Sequence, residues 1–380
     1  MNGFINYTAF PALQYQGIDQ KDRQFTIVVA RVTYDIEIKE SKAALKLAPL
    51  AEQSSLIYSD VPCKASPHSC IEFESDLAPY KPKTDVVIHA AAYAPNGKAA
   101  SEFEVAAKVG ESIKKLRIHG PRYWRATPVG WGLSPAKPID KLDISYEYAS
   151  GGCYEMNNQI FASPANPSGM GWYPEEYLKK CQINRLPAPQ VESAHAPVKY
   201  ISEIITPAGF GYFGKSWRGR IEFAGTYDRV WLEKRHPYLP EDFDFHYWCG
   251  AHPDLQIAHP QPCDTLPVEL QGLISAYEIP DQRVYFHIPV ETLFVFVKTA
   301  LGVGVAKDML LDTLVIDMRN RKVFCTYRVT LAEELEAIET ELRYIATAER
   351  ETQKRLAEVM LNNHSASTFI PLPSSLLIKR

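Results

Sequence analysis

The sequence of 380 residues has no large excess of charge of either sign. Its 41 Lys and Arg residues stand against 45 Asp and Glu, which gives a formal net charge of −4. Binding along a nucleic-acid backbone needs clustered positive charge, so this balance argues against a nucleic-acid partner. Hydrophobic residues make up 46% of the chain, which is typical of a globular protein with a substantial core.

Long apolar runs and paired cysteine motifs are also missing. The most apolar stretch, residues 290–306, is interrupted by Glu291 and Lys298 and is short for a membrane span. No basic segment followed by an apolar run opens the sequence, so we expect neither a secretory signal nor membrane insertion. The seven cysteines are scattered without a C-x-x-C pair, which predicts free thiols in a reducing compartment, the cytoplasm.

The familiar signatures of catalysis are absent as well. The sequence contains no G-x-S-x-G elbow, no H-E-x-x-H helix and no recognisable cysteine nucleophile. We therefore expect a protein that is not an enzyme and that has no catalytic residues, metal or cofactor. Two patterns nevertheless keep enzymatic alternatives open.

The first pattern is the string Gly209–Ser216, which matches the phosphate-loop motif G-x-x-x-x-G-K-[ST]. The corresponding alternative is a nucleotide hydrolase that uses Lys215 and Ser216. Three aromatic residues crowd the string, and residues 217–224 alternate like a strand, whereas a phosphate loop leads into a helix. We therefore favour a structural role.

The second pattern places Asp242, Asp244 and His246 on one side of a predicted strand, close to further His and Cys residues. Carboxylate and imidazole groups can hold a metal, so the alternative is a metal-dependent hydrolase. The spacing matches no structural zinc motif. The favoured interpretation is a proline-rich turn in which the Asp side chains accept hydrogen bonds from backbone amides.

Alternating and β-branched segments predict a mainly β fold, a two-sheet sandwich-like body with long ordered loops. Residues 1–120 form a predicted N-terminal β region, and residues 121–330 a loop-rich β region that contains all six tryptophans. Loops of such composition are ordered and usually functional, so we expect the binding surface there. The predicted strands are 25–38, 84–93, 101–108, 112–119 and 283–288, with a hairpin of 310–318 and 322–329.

Residues 331–380 are predicted to form an amphipathic helix and a tail. Leu331, Leu335, Ile338, Leu342 and Ile345 follow at helical spacing. Thr330 and Glu333 have the spacing of a capping box. The helix either packs on its own sheet or, as an alternative, extends over residues 331–361 as a coiled-coil arm for self-association. The apolar tail 369–378 could add an edge strand.

Several stretches, in order between residues 80 and 330, are similar to one known family. They include Tyr80–Ala90, Gly120–Trp124, Asn166–Gly171, Leu186–Glu192, Pro207–Gly211, Trp217–Arg220, Ala224–Trp231, Arg235–Asp244, Ala251–Gln256 and Leu311–Ile316. On these motifs the chain resembles a bacterial family, domain of unknown function 2169, that is encoded in type VI secretion clusters.

The resemblance implies a non-enzymatic adaptor, or chaperone, that loads a secreted effector, or its PAAR-like spike-tip domain, onto the secretion spike. A structural component of the secretion apparatus is the remaining alternative. The candidate protein-binding or motif residues are Trp124, Asn166, Pro167, Pro207, Gly209, Phe210, Gly211, Trp217, Arg220, Gly225, Thr226, Tyr227, Trp231, Arg235, Pro240, Asp242, Phe243 and Asp244. We expect the charged members, together with Asp228, mainly to brace the loops, and the glycines to serve backbone positions that side chains cannot occupy.

Overall fold

The structure is a computed structural model of the whole chain. It describes residues 3–39, 42–48, 50–65, 69–262, 264–299, 304–332, 337–345 and 377–378. Strands dominate these residues, and the helices are short. Among the described residues, no helix combines the length and the apolar composition that a membrane crossing requires.

Twenty-eight strands follow one another along the described chain. The first ten are β1 Gly3–Asn6, β2 Ala12–Ile18, β3 Gln24–Lys39, β4 Lys42–Leu47, β5 Val61–Pro62, β6 Ile71–Phe73, β7 Thr84–His89, β8 Ala91–Tyr93, β9 Glu102–Val109 and β10 Ser112–His119. The next ten are β11 Tyr123–Thr127, β12 Gly130–Leu133, β13 Lys141–Asp143, β14 Ser150–Gly151, β15 Cys153–Met156, β16 Gln159–Ala162, β17 Met170–Gly171, β18 Arg185–Pro187, β19 Val191–Ser193 and β20 Gln256–Ile257. The last eight are β21 Thr265–Gln271, β22 Arg283–Pro289, β23 Thr292–Thr299, β24 Gly304–Asp308, β25 Leu310–Asp317, β26 Lys322–Ala332, β27 Ala337–Ile345 and β28 Leu377–Ile378.

The helices all lie in the loops or turns between strands. The α-helices are α1 Glu175–Lys180, α2 Arg218–Ile221 and α3 Arg229–Lys234. Short 3₁₀ helices span Leu50–Glu52, Pro95–Gly97, Tyr146–Tyr148, Phe245–Trp248 and Pro253–Leu255.

Three large sheets form the body, and none closes into a barrel. The largest has the order β2-β3-β26-β25-β7-β20, with β4 also paired to β3. A second sheet has the order β19-β10-β9-β21-β22, and a third the order β1-β27-β23-β24-β28. The β25–β7 and β1–β27 pairs are parallel. In both pairs, a strand from the first quarter of the chain lies beside a strand that follows residue 309.

The core lies between these sheets because their strands bury alternate or all side chains. In β3, Val28, Ala30 and Val32 are fully buried, and β7 is buried along its whole length. A separate small cluster surrounds Trp124, whose indole N–H donates to Gly171 O over 2.8 Å. This second core packs the loop-rich region independently of the sheets.

The mainly β class is confirmed, and so are the strands predicted over 25–38, 84–93, 101–108, 112–119 and 283–288 and the hairpin of 310–318 and 322–329. The predicted strands correspond to β3, β7 with β8, β9, β10 and β22, and the predicted hairpin is β25 and β26, paired from Asp317–Lys322 outward. The body contains three large sheets where the sequence predicted two. The tail adds an edge strand, because β28 pairs with β24.

The predicted C-terminal helix is wrong over the described part of residues 331–345. Residues 331–332 end β26, and β27 is an interior strand that pairs with β23 on one side and with β1 on the other. Ile338, assigned to the apolar stripe, is 56% exposed, while Thr340 is fully buried. Thr330 is also part of β26 and caps no helix; its hydroxyl donates to Pro79 O. Sheet pairing with distant strands overrides the local helical pattern. The rest of the proposed coiled-coil segment, residues 346–361, lies outside the described residues.

Candidate functional site

The glycine-rich string of residues 207–217 is packed into the main core. Phe210 is fully buried, and Phe210 O accepts a hydrogen bond from Ile88 N of β7 over 2.9 Å. Tyr146 covers the string, and its ring centroid lies 5.4 Å from that of Trp217. A Cβ atom at Gly209 would lie 2.6 Å from Tyr146 Cε1, so only glycine fits under this ring.

Arg220, three residues after the string, forms a buried ion pair. Its guanidinium contacts the Glu74 carboxylate, and the two side chains are only 2% and 6% exposed. The same group donates to Phe213 O over 2.8 Å and to Tyr247 O over 2.7 and 3.0 Å. Burial alone would lower the pKa of Arg220, but the Glu74 charge outweighs it and raises the pKa. Arg220 therefore ties the string to the segment around Tyr247.

Asp85 of β7 extends this buried polar network. It accepts hydrogen bonds from Gly250 N and Ala251 N over 2.8 and 3.0 Å, and it pairs with Lys81 over 2.7 Å. Phe213 N in turn donates to Gly250 O over 2.8 Å. The string and residues 247–251 are thus fixed to the central sheet through buried charges whose partners are all present.

Lys215 of the phosphate-loop-like string forms an ion pair within the protein. Its Nζ lies 2.6 Å from Asp60 Oδ2. Burial raises the pKa of Asp60, but the hydrogen bonds from Lys215 and from Ser75 N–H outweigh it and lower the pKa below its usual value. The prediction of a strand over 217–224 is wrong, because α2 begins at Arg218; its single turn is held by Arg220.

Residues 225–240, which we call the arm, follow α2 and are fixed at their start by Asp242. Asp242 accepts from Thr226 N over 2.9 Å and from the Thr226 hydroxyl over 2.7 Å. These bonds hold the pKa of Asp242 below its usual value. Gly225 has a positive φ of 79°, and a Cβ atom there would lie 2.8 Å from Asp242 Oδ1. The turn therefore requires glycine.

The helix within the arm, α3, is capped and closed by its own side chains. Asp228 Oδ1 accepts from Trp231 N over 2.8 Å, which is an N-cap. The Trp231 indole N–H donates to Tyr238 O over 2.9 Å, and the Tyr227 ring lies 4.7 Å from the Trp231 ring. Trp231 therefore joins the helix to the returning chain.

Arg235 anchors the arm to the turn between β2 and β3. Its guanidinium makes bonds of 2.7 and 3.2 Å to the two Asp22 carboxylate oxygens and a bond of 3.2 Å to Gln20 O. It also donates to Leu239 O over 2.8 Å. Such two-point pairing fixes both position and orientation. Arg220, Asp228, Arg235 and Asp242 thus each form contacts that hold one part of the loops to another.

The braced arm presents apolar side chains to solvent. Tyr227, Val230, Leu232 and Tyr238 are 53%, 58%, 61% and 47% exposed. Single exposed apolar residues are ordinary on protein surfaces, but four within twelve residues of one anchored segment suggest a contact surface.

A groove of about 420 Å³ adjoins the arm. Its walls include Gln20, Arg23, Phe25, Tyr80, Phe245 and Lys307. Gln20 belongs both to the groove and, through its carbonyl, to the anchor of Arg235. The groove is open, mixed in polarity and flanked by two aromatic rings, Tyr80 and Phe245, whose centroids lie 5.8 Å apart.

Asp242, Asp244 and His246, the alternative metal site, lie in a turn and a 3₁₀ helix, not in a strand as predicted. Asp244 accepts from His246 N and from the His246 ring, both over 2.8 Å. Asp242 is used by Thr226. Over the described ranges, no group of three His, Cys, Asp or Glu side chains is placed to hold a metal ion.

The structure does not gather all the predicted site residues at one place. Trp124 belongs to the second core, and Asn166 is fully buried, with its amide donating to Tyr146 O over 2.8 Å and to Ser150 O over 3.2 Å. Pro167 is partly exposed. Pro207, Pro240 and Phe243 are buried. The accessible members are Thr226, Tyr227, Asp242 and Asp244, so the solvent-facing candidates all lie on or beside the arm.

Several residues on which the site depends are not among the candidates predicted from the sequence. Glu74, Asp85, Tyr146, Asp22 and Asp60 each hold a loop residue through a contact distant in sequence. Asp85 lies within the quoted stretch Tyr80–Ala90, which was the one available signal. The other four carry no local pattern that marks them.

This geometry defines a class of protein: a mainly β body whose surface loops are held by ion pairs and hydrogen bonds. A family model described as "Uncharacterized protein conserved in bacteria (DUF2169)" matches residues 21–328, and the chain belongs to this family. The resemblance seen in the sequence is thereby confirmed at the level of the family. The comparisons found no match to the chain among curated proteins or among solved structures.

Proposed function

We propose that the protein is a non-enzymatic adaptor, or chaperone, that binds a type VI secretion effector, or its PAAR-like spike-tip domain, and helps to load it onto the secretion spike. The observation that carries the proposal is the arm: an anchored segment with four exposed apolar side chains. The secretion context comes from the resemblance of the family motifs, and the cytoplasm is where such loading would take place.

Rigid anchoring supports a binding role because ordering a loop costs free energy at the moment of association. The arm is already fixed by Asp242, by the Asp228 cap and by Arg235. A preorganised aromatic surface loses little entropy on binding, so its buried area is available for affinity. Tyr and Trp residues are also the types most enriched at binding hot spots.

The buried string supports a structural interpretation of the phosphate-loop-like motif. Lys215 is paired with Asp60, Gly209 lies under Tyr146, and the backbone N–H of Phe213 is already used by Gly250 O. The lysine and the backbone N–H that the motif would need for a phosphate therefore already have partners within the protein.

Co-expression with a candidate type VI effector that carries a PAAR-like domain, followed by affinity purification, tests the proposal. We expect the wild-type chain to retain the effector above an unrelated control protein. Binding of the purified pair is then measured by isothermal titration with the double variant Val230→Ser/Leu232→Ser. Removing two exposed contact residues should weaken binding about tenfold or more, which corresponds to about 1.4 kcal/mol.

A matched control comes from exposed apolar residues outside the arm. Val129 and Ile160 are 97% and 69% exposed, so Val129→Ser/Ile160→Ser makes the same chemical change elsewhere. We expect this control to bind like the wild type, and both double variants to keep the wild-type Tm. Failure of the wild type to retain the effector would count against the adaptor function. Equal binding by both double variants would instead remove the arm as the binding surface.

A further inference from the structure

Two cysteines face each other at the end of the hairpin formed by β5 and β6. Val61 pairs with Phe73 and Pro62 with Ile71. Beyond these pairs, Cys63 N–H donates to Cys70 O over 2.8 Å, and the two Sγ atoms lie 2.6 Å apart. The backbone register of the hairpin therefore holds the two thiols in contact. Cys63 is exposed and Cys70 is buried beneath it.

The pair forms one side of a small cavity. Its other walls include His89, Ser145, Tyr146 and Gly211, and its volume of about 30 Å³ suits a molecule of the size of water. Ser145 Oγ lies 3.3 Å from Cys70 Sγ. The contact between the two thiols lowers the pKa of Cys70 and raises the pKa of Cys63. Of the two thiols, Cys70 is therefore the one that gives up its proton more readily.

We propose that Cys63 and Cys70 are a dithiol site that reacts with hydrogen peroxide and closes to a disulfide. The Cys70 thiolate attacks one peroxide oxygen: the S–O bond forms, the O–O bond breaks, and hydroxide leaves and takes up a proton from solvent. The Cys63 thiol then attacks the sulfenic sulfur of Cys70: the S–S bond forms, the S–O bond breaks, and water leaves with the Cys63 proton. The two thiols lose two electrons, which reduce the peroxide to water.

Cys249 and Cys325, the other buried cysteines in the part of the chain that the structure describes, have surroundings that disfavour this chemistry. Burial raises the pKa of Cys249 to about 12 and raises the pKa of Cys325 as well. Both thiols therefore stay protonated and shielded, and a protonated thiol is a poor nucleophile. Oxidation of Cys249 and Cys325 should accordingly be slow compared with that of the Cys63–Cys70 pair. This inference is independent of the proposed adaptor function.

The test uses the full-length protein, reduced, freed of reductant and treated with hydrogen peroxide. Free thiols are then alkylated, and intact mass and peptide mapping locate the modified residues. We expect a cross-link between Cys63 and Cys70, with the linked peptide about 2 Da lighter than its reduced, unalkylated counterparts because two hydrogens are lost. We expect dithiothreitol to reverse the cross-link fully. Cys63→Ser and Cys70→Ser should each abolish the cross-link, while the control Cys181→Ser should keep it.

Because Cys63 is exposed, Cys63→Ser should fold even where replacement of buried Cys70 perturbs the hairpin, so this variant suffices to decide the question. Stable sulfenic or sulfinic acid at Cys63 or Cys70 in the wild type, without a cross-link, would overturn the proposal. So would a cross-link between other cysteines, or a Cys63→Ser variant that still loses about 2 Da.

Discussion

Replacement of Arg220 is the sharpest test of the structural account, because this one side chain joins the buried string, the segment around Tyr247 and Glu74. Arg220→Met keeps most of the side-chain volume and removes the charge together with four hydrogen bonds. The Glu74 carboxylate then stays buried without its cation. Breaking a buried ion pair from one side costs about 3–5 kcal/mol of the free energy of unfolding.

The effect should be visible in thermal unfolding followed by circular dichroism. With an unfolding entropy of about 2.1 cal/mol/K per residue, a loss of about 3–5 kcal/mol lowers the Tm of a chain of this length by about 4–6 °C. Arg218→Met is the matched control in the same helix. Its partner Glu222 and Arg218 itself are both more than 60% exposed, so its effect should stay within about 0.5 kcal/mol.

A double variant separates the pair from the rest of the network. Arg220→Met/Glu74→Leu removes both charges, so it should lose less stability than the sum of the two single variants. If Arg220→Met is no more destabilised than Arg218→Met, the buried pair does not hold the string, and the structural interpretation of the site fails.

Two further predictions concern the string itself. Gly209→Ala should lower the free energy of unfolding by about 1–3 kcal/mol, because its Cβ atom would lie 2.6 Å from the Tyr146 ring. Gly211→Ala is the control: its Cβ atom would lie 3.5 Å from the same ring, so urea unfolding should show almost no change, and equal losses for both variants would contradict the packing. Lys215→Met should lower the Tm at pH 7 by the equivalent of less than about 1 kcal/mol, because its ion pair with Asp60 is partly exposed. The folded pKa of Asp60 lies below its unfolded value, so the ion pair stabilises the fold above about pH 4. The difference in Tm between Lys215→Met and the wild type should therefore vanish as the pH falls to about 2. A difference in Tm that persists at about pH 2 would refute the assignment of the pair.

The strands and hairpins could be predicted from the sequence because their signals are local. Residues 25–38 alternate and are rich in β-branched residues, and they form most of β3. The turn at residues 319–321 is flanked by two such segments and joins β25 to β26. The braced turns were also foreseeable, because Asp residues next to Gly and Pro commonly accept hydrogen bonds from nearby amides, as Asp242 does.

The exposed arm was only partly predictable. The sequence placed the binding surface in the region of residues 121–330 and included Tyr227 and Trp231 among the candidates. The sequence could not separate exposed candidates from buried ones, because Trp217 and Trp231 are both tryptophans in the same aromatic-rich region. Packing against Tyr146 buries Trp217, and anchoring on the β2–β3 turn leaves Trp231 in an outlying segment.

By itself, the sequence determined the mainly β class, the strand-forming segments and the family, since each is encoded in neighbouring residues or in short motifs. Tertiary structure alone decided that residues 337–345 form a strand between β23 and β1, and that Arg220 finds Glu74, 146 residues away in the chain. A local pattern records which conformations a segment favours. Sheet partners and buried counter-charges are instead chosen by the free energy of the whole chain, so they emerge only once distant segments have packed together.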